Sequence, residues 1–300
     1  MANSLNLRSA ENTRLELTKT QQRDIERMYR RISKKIGNEA AKLPNTTSGA
    51  LRQMYLRKLQ RQIDAELGSL SRNLETTIND SMLAVAEAVV LDNVAFHEAI
   101  GLSVQGMFSR VPRDIVKTVA TGQIYEGRWS LSQSIWGHTA KTKKDINTII
   151  AEGIAQNKSA YAIAKDLERY VNPSARKPWD WSKVYPGTAL KVDYNAQRLA
   201  RTMVSHAYQQ SFVRTTQRNP FVKKYKWDAS NSGRVCDLCN SRDGVLFEKD
   251  ELPLDHPNGM CTFIAVTDMS MVDMADRIAD WVEGKSDPEL DDYAEYLKHT

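Results

Sequence analysis

The sequence predicts a mainly α protein, with long helices and a small α+β module near its C-terminus. Three observations predict this fold class: an apolar repeat at helical spacing in the first third of the chain, a change to strand-like alternation after residue 220, and the gathering of all three cysteines into residues 236–261. With 300 residues, of which 41% are hydrophobic, the chain is long enough to bury a substantial core.

The strongest helical pattern predicts one long helix from about residue 48 to about residue 91, preceded by a basic amphipathic helix over residues 18–41. Apolar pairs in it, such as Leu59 and Leu70, are eleven residues apart, which is typical of a straight or slightly right-handed packing seam. Such a seam needs a partner helix, so we expect it to pack within the chain or to mediate self-association. The seam positions are Leu59, Ile63, Leu67, Leu70, Leu74, Ile78, Met82, Val85 and Val89.

The middle of the chain is predicted to be helical up to a linker. Lys144 or Asp145 is expected to open a short helix that breaks at residues 153–158, and Ser159 is expected to cap a second one. The second helix offers few basic or amide side chains, which favours helix packing over insertion into a DNA groove. Residues 172–188 are rich in Pro, Trp and Lys and predict a linker.

After a further helix over residues 189–218, the periodicity changes from helix to strand. The aromatic residues of 221–227 alternate onto one face, two more short strands are predicted at 244–248 and 262–266, and the chain returns to helix from Met269. The patterns together divide the chain into a basic long-helix region for association (1–127), a middle helical region with a linker (128–188), a C-terminal module (189–267) and an acidic helical tail (268–300).

The net charge of +5 is distributed unevenly along the chain. Residues 19–72 hold thirteen Lys and Arg against five Asp and Glu, whereas residues 268–300 hold ten Asp and Glu against three Lys and Arg. A basic surface suits a polyanion such as nucleic acid and an acidic tail suits a basic protein surface, although ordinary solvated helix faces have the same composition. Any DNA contact is expected to be weak, independent of sequence and sensitive to salt.

No apolar run of signal-peptide length opens the chain, and none approaches the roughly 20 residues of a membrane-spanning helix. We therefore expect no membrane-spanning segment and a cytoplasm-like compartment, in which thiols stay reduced. Clustered thiols in such a compartment are better interpreted as metal ligands or as a redox site than as disulfides.

The cysteine cluster predicts a metal centre. Cys236 and Cys239 have C-x-x-C spacing, which lets two thiolates of one tight turn reach the same ion, and His256 and Cys261 follow. These four residues form a Cys₃His set that suits tetrahedral zinc. Four protein ligands leave no position for water, so we expect a structural zinc that stabilises a zinc-knuckle-like β-hairpin, with Trp227 and Phe247 packed beside it. The alternatives are three reduced cysteines that are merely close together, and a redox pair, for which the usual βαβ context is absent.

Two other functional classes compete with a structural role. A metal-dependent nuclease of the HNH type would use His256 as general base and Asn258 to orient it, but it needs a further cation ligand on the following helix, and the only later histidine is His299. A sequence-specific DNA-binding regulator that uses the zinc unit is disfavoured because the helix after the cysteines is acidic, whereas a non-specific DNA-binding zinc protein stays an alternative. We find no organised catalytic set, so no catalytic residue is assigned and the protein is expected not to be an enzyme.

Three stretches follow one another in a specific order: ARTMVSHAYQQSFVRTTQ (200–217), VKKYKWDASNSGRVCDLCNSRDG (222–244) and HPNGMC (256–261). This order resembles the C-terminal module of tailed-phage minor head proteins, the phage Mu F-like or phage head morphogenesis family, over roughly residues 128–267. Two positions depart from the family pattern: Met203 replaces an acidic residue, and Gly259 replaces the first cysteine of H-P-N-C-R-C. The matching positions are Arg201, Thr202, Trp227, Cys236, Cys239, Gly244, His256, Pro257, Asn258 and Cys261.

The resemblance implies a structural virion protein of a tailed bacteriophage, present in few copies near the portal inside the head and in the host cytoplasm during assembly. Its implied partners are the phage portal protein and other head proteins, with non-specific contact with packaged DNA, and its implied roles are head morphogenesis and DNA packaging or ejection. Because residue 259 is not a cysteine, one set of four ligands ending at Cys261 is expected, with no fifth or alternative ligand.

Overall fold

A computed structural model describes residues 4–5, 8–42, 49–125, 130–156, 158, 160–171, 194–229 and 235–299. The chain divides into two compact units. Unit 1 comprises Met1–Thr18, Asn79–Arg128 and Arg201–Thr300, and unit 2 comprises Lys19–Ile78 and Trp129–Ala200. The predicted linker at 172–188 and the predicted cap at Ser159 lie outside the described residues.

The secondary structure is mainly helical, as predicted. Within the described part of the chain no helix has the length and hydropathy needed to cross a membrane. The helices are α1 (Arg8–Ala41), α2 (Gly49–Ala99), α3 (Val111–Ala120), α4 (Leu131–Ala155), α5 (Ala160–Val171), α6 (Tyr194–Thr216), α7 (Asp237–Arg242), α8 (Met271–Val282) and α9 (Pro288–Lys298). A 3₁₀ turn covers Gln123–Tyr125, and the strands are β1 (Ser4–Leu5), β2 (Val222–Asp228), β3 (Leu246–Phe247) and β4 (Thr262–Thr267).

The predicted seam of α2 is confirmed, because all nine of its apolar side chains are buried. In unit 2 the neighbours of α2 come from the same chain. Lys35 of α1 pairs with Glu66 at 2.8 Å, and Ser71 hydrogen-bonds Thr139 of α4 at 2.8 Å. The seam thus has its partner helices within the chain.

Helix α1 begins at Arg8, before the predicted start at residue 18. Two further helix boundaries differ from the prediction because polar residues face the interior. Helix α2 continues to Ala99, beyond the predicted end near residue 91, because Asn93 and His97 occupy its buried face and interrupt the apolar pattern without interrupting the helix. The predicted helix start at Lys144 or Asp145 is wrong, since α4 is continuous from Leu131. Asp145 is buried and accepts a 2.6 Å hydrogen bond from the Tyr170 hydroxyl, so it serves the interior and not a helix terminus.

The end of α4 shows why a glycine stands at 153. A Cβ at Gly153 would lie 2.7 Å from the side chain of Ile163 in α5, a distance that real Cβ atoms do not tolerate. The glycine therefore lets α4 and α5 approach closely in unit 2. The predicted break at 153–158 agrees with the end of α4 at Ala155.

Unit 1 contains one antiparallel sheet with strand order β1-β4-β2-β3. The three C-terminal strands were predicted, but β1 comes from the N-terminus, where Ser4 pairs with Val266. The predicted alternation in β2 is confirmed, because Tyr225 and Trp227 are fully buried. Helix α6 covers this face of the sheet through Phe212, whose ring lies 5.1 Å from that of Tyr225.

The acidic tail is helical, as predicted, but forms two helices, α8 and α9, which are separated by residues 283–287. Met271, at the start of α8, is 45% exposed. The buried tail residues Met274, Ile278 and Leu290 join a cluster with Ile100 and Phe221. The tail is thus part of the core of unit 1.

Candidate metal centre

Cys236 and Cys239 lie between β2 and β3, at the start of helix α7 and within it, respectively. Cys236 is the N-cap of α7, and its Sγ accepts a hydrogen bond from the Cys239 N–H at 3.5 Å. Gly244 then takes a positive φ of 74°, which permits the tight return into β3, where Phe247 packs 6.2 Å from Trp227. The two cysteines are thereby held one helical turn apart, with Cys236 exposed and Cys239 buried.

His256 and Cys261 lie on the loop before β4, and this loop turns sharply at Asn258. Asn258 has a φ of 71°, in the left-handed region that asparagine tolerates better than most residues. The Gly259 N–H closes the turn by donating to the His256 carbonyl at 2.8 Å. The turn directs Cys261 back toward the cysteines of α7.

One face of α6 holds this loop through side-chain hydrogen bonds. Arg201 donates to the Asn258 side chain at 2.6 Å, and the Asn258 N–H donates to the Thr202 hydroxyl at 2.8 Å. Further along the face, Ser205 donates to the Gly259 carbonyl at 3.0 Å. The Arg-Thr pair that carries the resemblance therefore supports the loop that bears two of the predicted ligands.

The same face of α6 continues upstream along the loop. His206 Nε2 lies 2.9 Å from the Asp255 carbonyl, which can only accept, so Nε2 carries the proton. Gln209 donates to the Pro253 carbonyl at 2.7 Å and accepts from the Asp255 N–H at 2.8 Å. The sequence analysis assigned no functional role to the polar residues of this face. Their spacing of three and four residues, along a helix that is otherwise buried, is the sequence pattern that could have indicated one.

The N-terminal helix also holds this loop. Arg14 is buried in unit 1, and its guanidinium donates to the Met260 carbonyl at 3.2 Å while lying 4.9 Å from the ring centre of Tyr208. No local sequence pattern indicates this contact, which joins residues 246 positions apart.

The four predicted ligands form one contiguous cluster of two overlapping groups. The donor atoms of Cys236, Cys239 and His256 lie within 4.8 Å of one another, and Cys236 Sγ is 3.2 Å from His256 Nε2. Cys261 belongs to a second group of the same dimension, together with Cys239 and Asp255. The shared residue is Cys239. Asp255 was not among the predicted ligands, and its carboxylate is an additional candidate donor beside the buried thiols.

The pKa values of the thiols shift in opposite directions in the exposed and the buried half of the cluster. The hydrogen bond from the Cys239 N–H, aided by the neighbouring His256, lowers the pKa of the Cys236 thiol. Burial, reinforced by the thiols of Cys261 and Cys236, raises the pKa of Cys239. Burial opposes protonation of His256, but the Pro257 carbonyl, the Asp255 carboxylate and Cys236 raise its pKa overall. Because thiolates and neutral imidazole are the ligand forms, a cation would displace the protons that these groups hold.

The donor set fits a zinc ion chemically. Three thiols and one imidazole are borderline-soft donors of the kind zinc prefers, and two of the thiols are shielded from solvent. The ring of His256 is oriented by its other nitrogen, since Nδ1 lies 3.0 Å from the Pro257 carbonyl and donates to it. The ring therefore presents Nε2 to the cluster.

Residues 144–264 match the family model described as Phage Mu protein F like protein. This segment is phage Mu F-like. The match confirms the resemblance predicted from the sequence and supports the phage head morphogenesis family. Comparison with curated proteins and with solved structures gave no match. The Mu F-like segment includes α6, the four predicted ligands and Asp255, whereas α1, α2, α8 and α9 lie outside it.

Proposed function

We propose that the protein is a structural minor head protein of a tailed bacteriophage, associated with the portal inside the head and acting in head morphogenesis and in DNA packaging or ejection. The observation that carries the proposal is the Mu F-like match across residues 144–264, which ends just after the Cys/His cluster. Its partners are the phage portal protein and other head proteins, and its location is the virion, after assembly in the host cytoplasm.

The cluster is a structural zinc site within this proposal, formed by Cys236, Cys239, His256 and Cys261. Its support is the donor chemistry and the number of hydrogen bonds that hold the loop 253–260 in place. When bound, zinc would link the α7 connection to the loop before β4. The small sheet of unit 1 would thereby gain a cross-link in addition to its backbone hydrogen bonds.

The proposed role is not enzymatic. An HNH-type nuclease would need His256 free to act as a base, but its two ring nitrogens lie 3.2 Å from Cys236 Sγ and 3.0 Å from the Pro257 carbonyl. A metal-dependent assay for nicking of supercoiled DNA tests this point. Magnesium- or manganese-dependent nicking that is lost in His256→Ala would support the nuclease instead.

Contact with packaged DNA within this proposal is non-specific and involves the basic residues of 19–72. We expect binding to duplex DNA to weaken steeply between about 50 and 200 mM salt, because each neutralised phosphate releases a counterion. Binding that does not change over this range would contradict the electrostatic contribution.

The experiment that tests the structural role is the location of the protein in purified phage particles. We expect mass spectrometry to detect the protein in mature virions, protected from added protease until the head is opened, and cross-linking to connect it to the portal protein. Its absence from particles, or its digestion on intact particles, would contradict the proposal.

The metal part of the proposal is tested by elemental analysis of protein purified under reducing conditions. We expect one zinc per chain in the wild type and none in Cys239→Ser, with a melting transition lowered by chelation in the wild type only. The matched control is Asn240→Ser, which changes an exposed neighbour on the same short helix and should retain the metal. Wild-type protein without metal would contradict the zinc site and leave the head-protein role to the virion experiment.

A further inference from the structure

Asp255 is the most unusual charged residue near the cluster. It is only 3% exposed, although an aspartate is ordinarily a surface residue. The charged groups that face it are His256 and Arg14, and the Arg14 guanidinium donates its hydrogen bond to the Met260 carbonyl. Burial of a carboxylate is costly, and a bound cation would offset that cost.

The carboxylate has acceptor capacity left. Oδ1 accepts a 2.8 Å hydrogen bond from the His256 N–H, and Oδ2 accepts a long one of 3.4 Å from the Cys261 N–H. An ionised carboxylate has about four lone-pair positions, so these two bonds leave room for a cation. A carboxylate oxygen also lies within 4.8 Å of the Sγ atoms of both Cys239 and Cys261.

Gly259 explains how the carboxylate reaches this position. A Cβ built on Gly259 would overlap both oxygens and the carboxyl carbon of Asp255. The space next to the thiols of Cys239 and Cys261 can therefore hold either the Asp255 carboxylate or a side chain at residue 259, but not both.

We infer that Asp255 is a direct ligand of the metal centre, supplying an oxygen donor from the space that the absent side chain of Gly259 leaves open. Cys239, Cys261 and Asp255 form the buried half of the centre, and Cys236 and His256 form its exposed half. The inference rests on the metal centre of the proposed function and changes its donor set from sulfur and nitrogen alone to one that includes oxygen. A hard oxygen donor makes the site more tolerant of harder divalent ions than a Cys₃His site would be.

The test is cobalt substitution of the purified full-length protein, because the d–d bands of Co²⁺ respond to each donor and the charge-transfer bands count the thiolates. We expect Asp255→Asn to change the d–d bands, to leave the charge-transfer intensity unchanged, and to weaken metal binding at least about tenfold in competition with a chelator. The matched control is Asp237→Asn, an exposed carboxylate adjacent to Cys236, which should preserve the spectrum and alter the affinity by less than about threefold.

A loss of affinity with an unchanged Co²⁺ spectrum would overturn the inference, because Asp255 would then only hold the N–H groups of His256 and Cys261. Failure of the wild type to bind zinc or cobalt would overturn the metal centre and the inference together. If Asp255→Asn does not fold, X-ray absorption of the wild-type zinc protein decides: two nitrogen or oxygen neighbours support Asp255 as a ligand, and one contradicts it.

A donor exchange tests the shared space directly. We expect Gly259→Cys alone to impair metal binding because its side chain meets the carboxylate. The double variant Asp255→Ala/Gly259→Cys should bind more tightly than Asp255→Ala and show a stronger thiolate-to-cobalt charge-transfer band. A double variant that binds no better than Asp255→Ala would contradict the exchange of one donor for the other.

Discussion

The α2 seam and the cysteine loop (residues 253–261) are stabilised in different ways. The seam consists of buried apolar side chains at helical spacing, and its few polar contacts, such as that between Ser71 and Thr139 in unit 2, are isolated. The cysteine loop has little regular structure, and side chains from α1 and α6 hold it through hydrogen bonds to its backbone. Apolar burial tolerates small displacements, whereas a polar loop depends on the position of each donor and acceptor.

The largest loss of stability is expected from a substitution in the α2 seam. Ile63→Ala removes three carbon atoms from a side chain that is 1% exposed, and we expect a loss of about 2–5 kcal/mol in the free energy of unfolding from lost burial and cavity formation. Denaturant titration followed by circular dichroism measures the loss. The control is Leu91→Ala on the same helix, where 67% exposure predicts a change within about 0.5 kcal/mol. Equal losses in the two variants would contradict the buried seam.

A smaller loss of stability is expected in unit 1 when the pH is lowered. His97 is fully buried, and its Nδ1 donates to the Asn93 carbonyl while Nε2 lies 2.7 Å from the Tyr293 hydroxyl of α9. Burial lowers the pKa of His97 below its ordinary value of 6.5. Between these two pKa values the unfolded chain binds a proton that the folded chain does not, so stability falls as the pH drops below 6.5.

The variant His97→Gln keeps hydrogen-bonding capacity and removes this titration. We expect it to flatten the stability profile by up to about 1.4 kcal/mol per pH unit in that window. Some slope remains, because burial also lowers the pKa of His206, to about 4. The control is His299→Gln, which changes an exposed histidine and should leave the profile as in the wild type. A profile that His97→Gln does not change would contradict the buried neutral state.

The smallest loss of stability is expected when a surface ion pair of unit 2 is removed. Lys35 and Glu66 form an ion pair at 2.8 Å between α1 and α2, but the two side chains are about half and one quarter exposed. We expect Glu66→Gln to cost about 0.2–1 kcal/mol at low salt and less at high salt. Melting temperatures at two salt concentrations measure the difference. A loss as large as that of Ile63→Ala would show that ion pairs, and not the seam, determine the stability of this unit.

The predictions from sequence succeeded where the signal is local. Helical spacing identified the α2 seam, and alternation identified β2 and β4, because each pattern repeats within a few residues. They failed where polar residues face inward. Asn93 and His97 concealed the last turns of α2, and Asp145 was interpreted as a helix start although it is buried against Tyr170.

For the metal centre, too, the predictions succeeded where the sequence signal is local and failed where it is not. The spacing of Cys236, Cys239, His256 and Cys261 was sufficient to predict that they lie close together, and the structure brings them into one cluster. Asp255 was missed because an aspartate before a turn has no distinctive spacing. Its position became evident only when the absence of a side chain at Gly259 could be related to the space around the thiols.

Local patterns in the sequence were enough to predict the helical class, the apolar seam, the change to strands, the thiol and imidazole donors, and the resemblance to phage Mu F-like proteins. The folded structure was needed to show that Arg14 and β1 belong with the C-terminal sheet, that one face of α6 holds the loop 253–260, and that Asp255 lies beside Cys239 and Cys261. Most of these contacts join residues that are far apart in the chain. Periodicity records which face of an element is buried, but it does not record which distant donor will satisfy a buried acceptor.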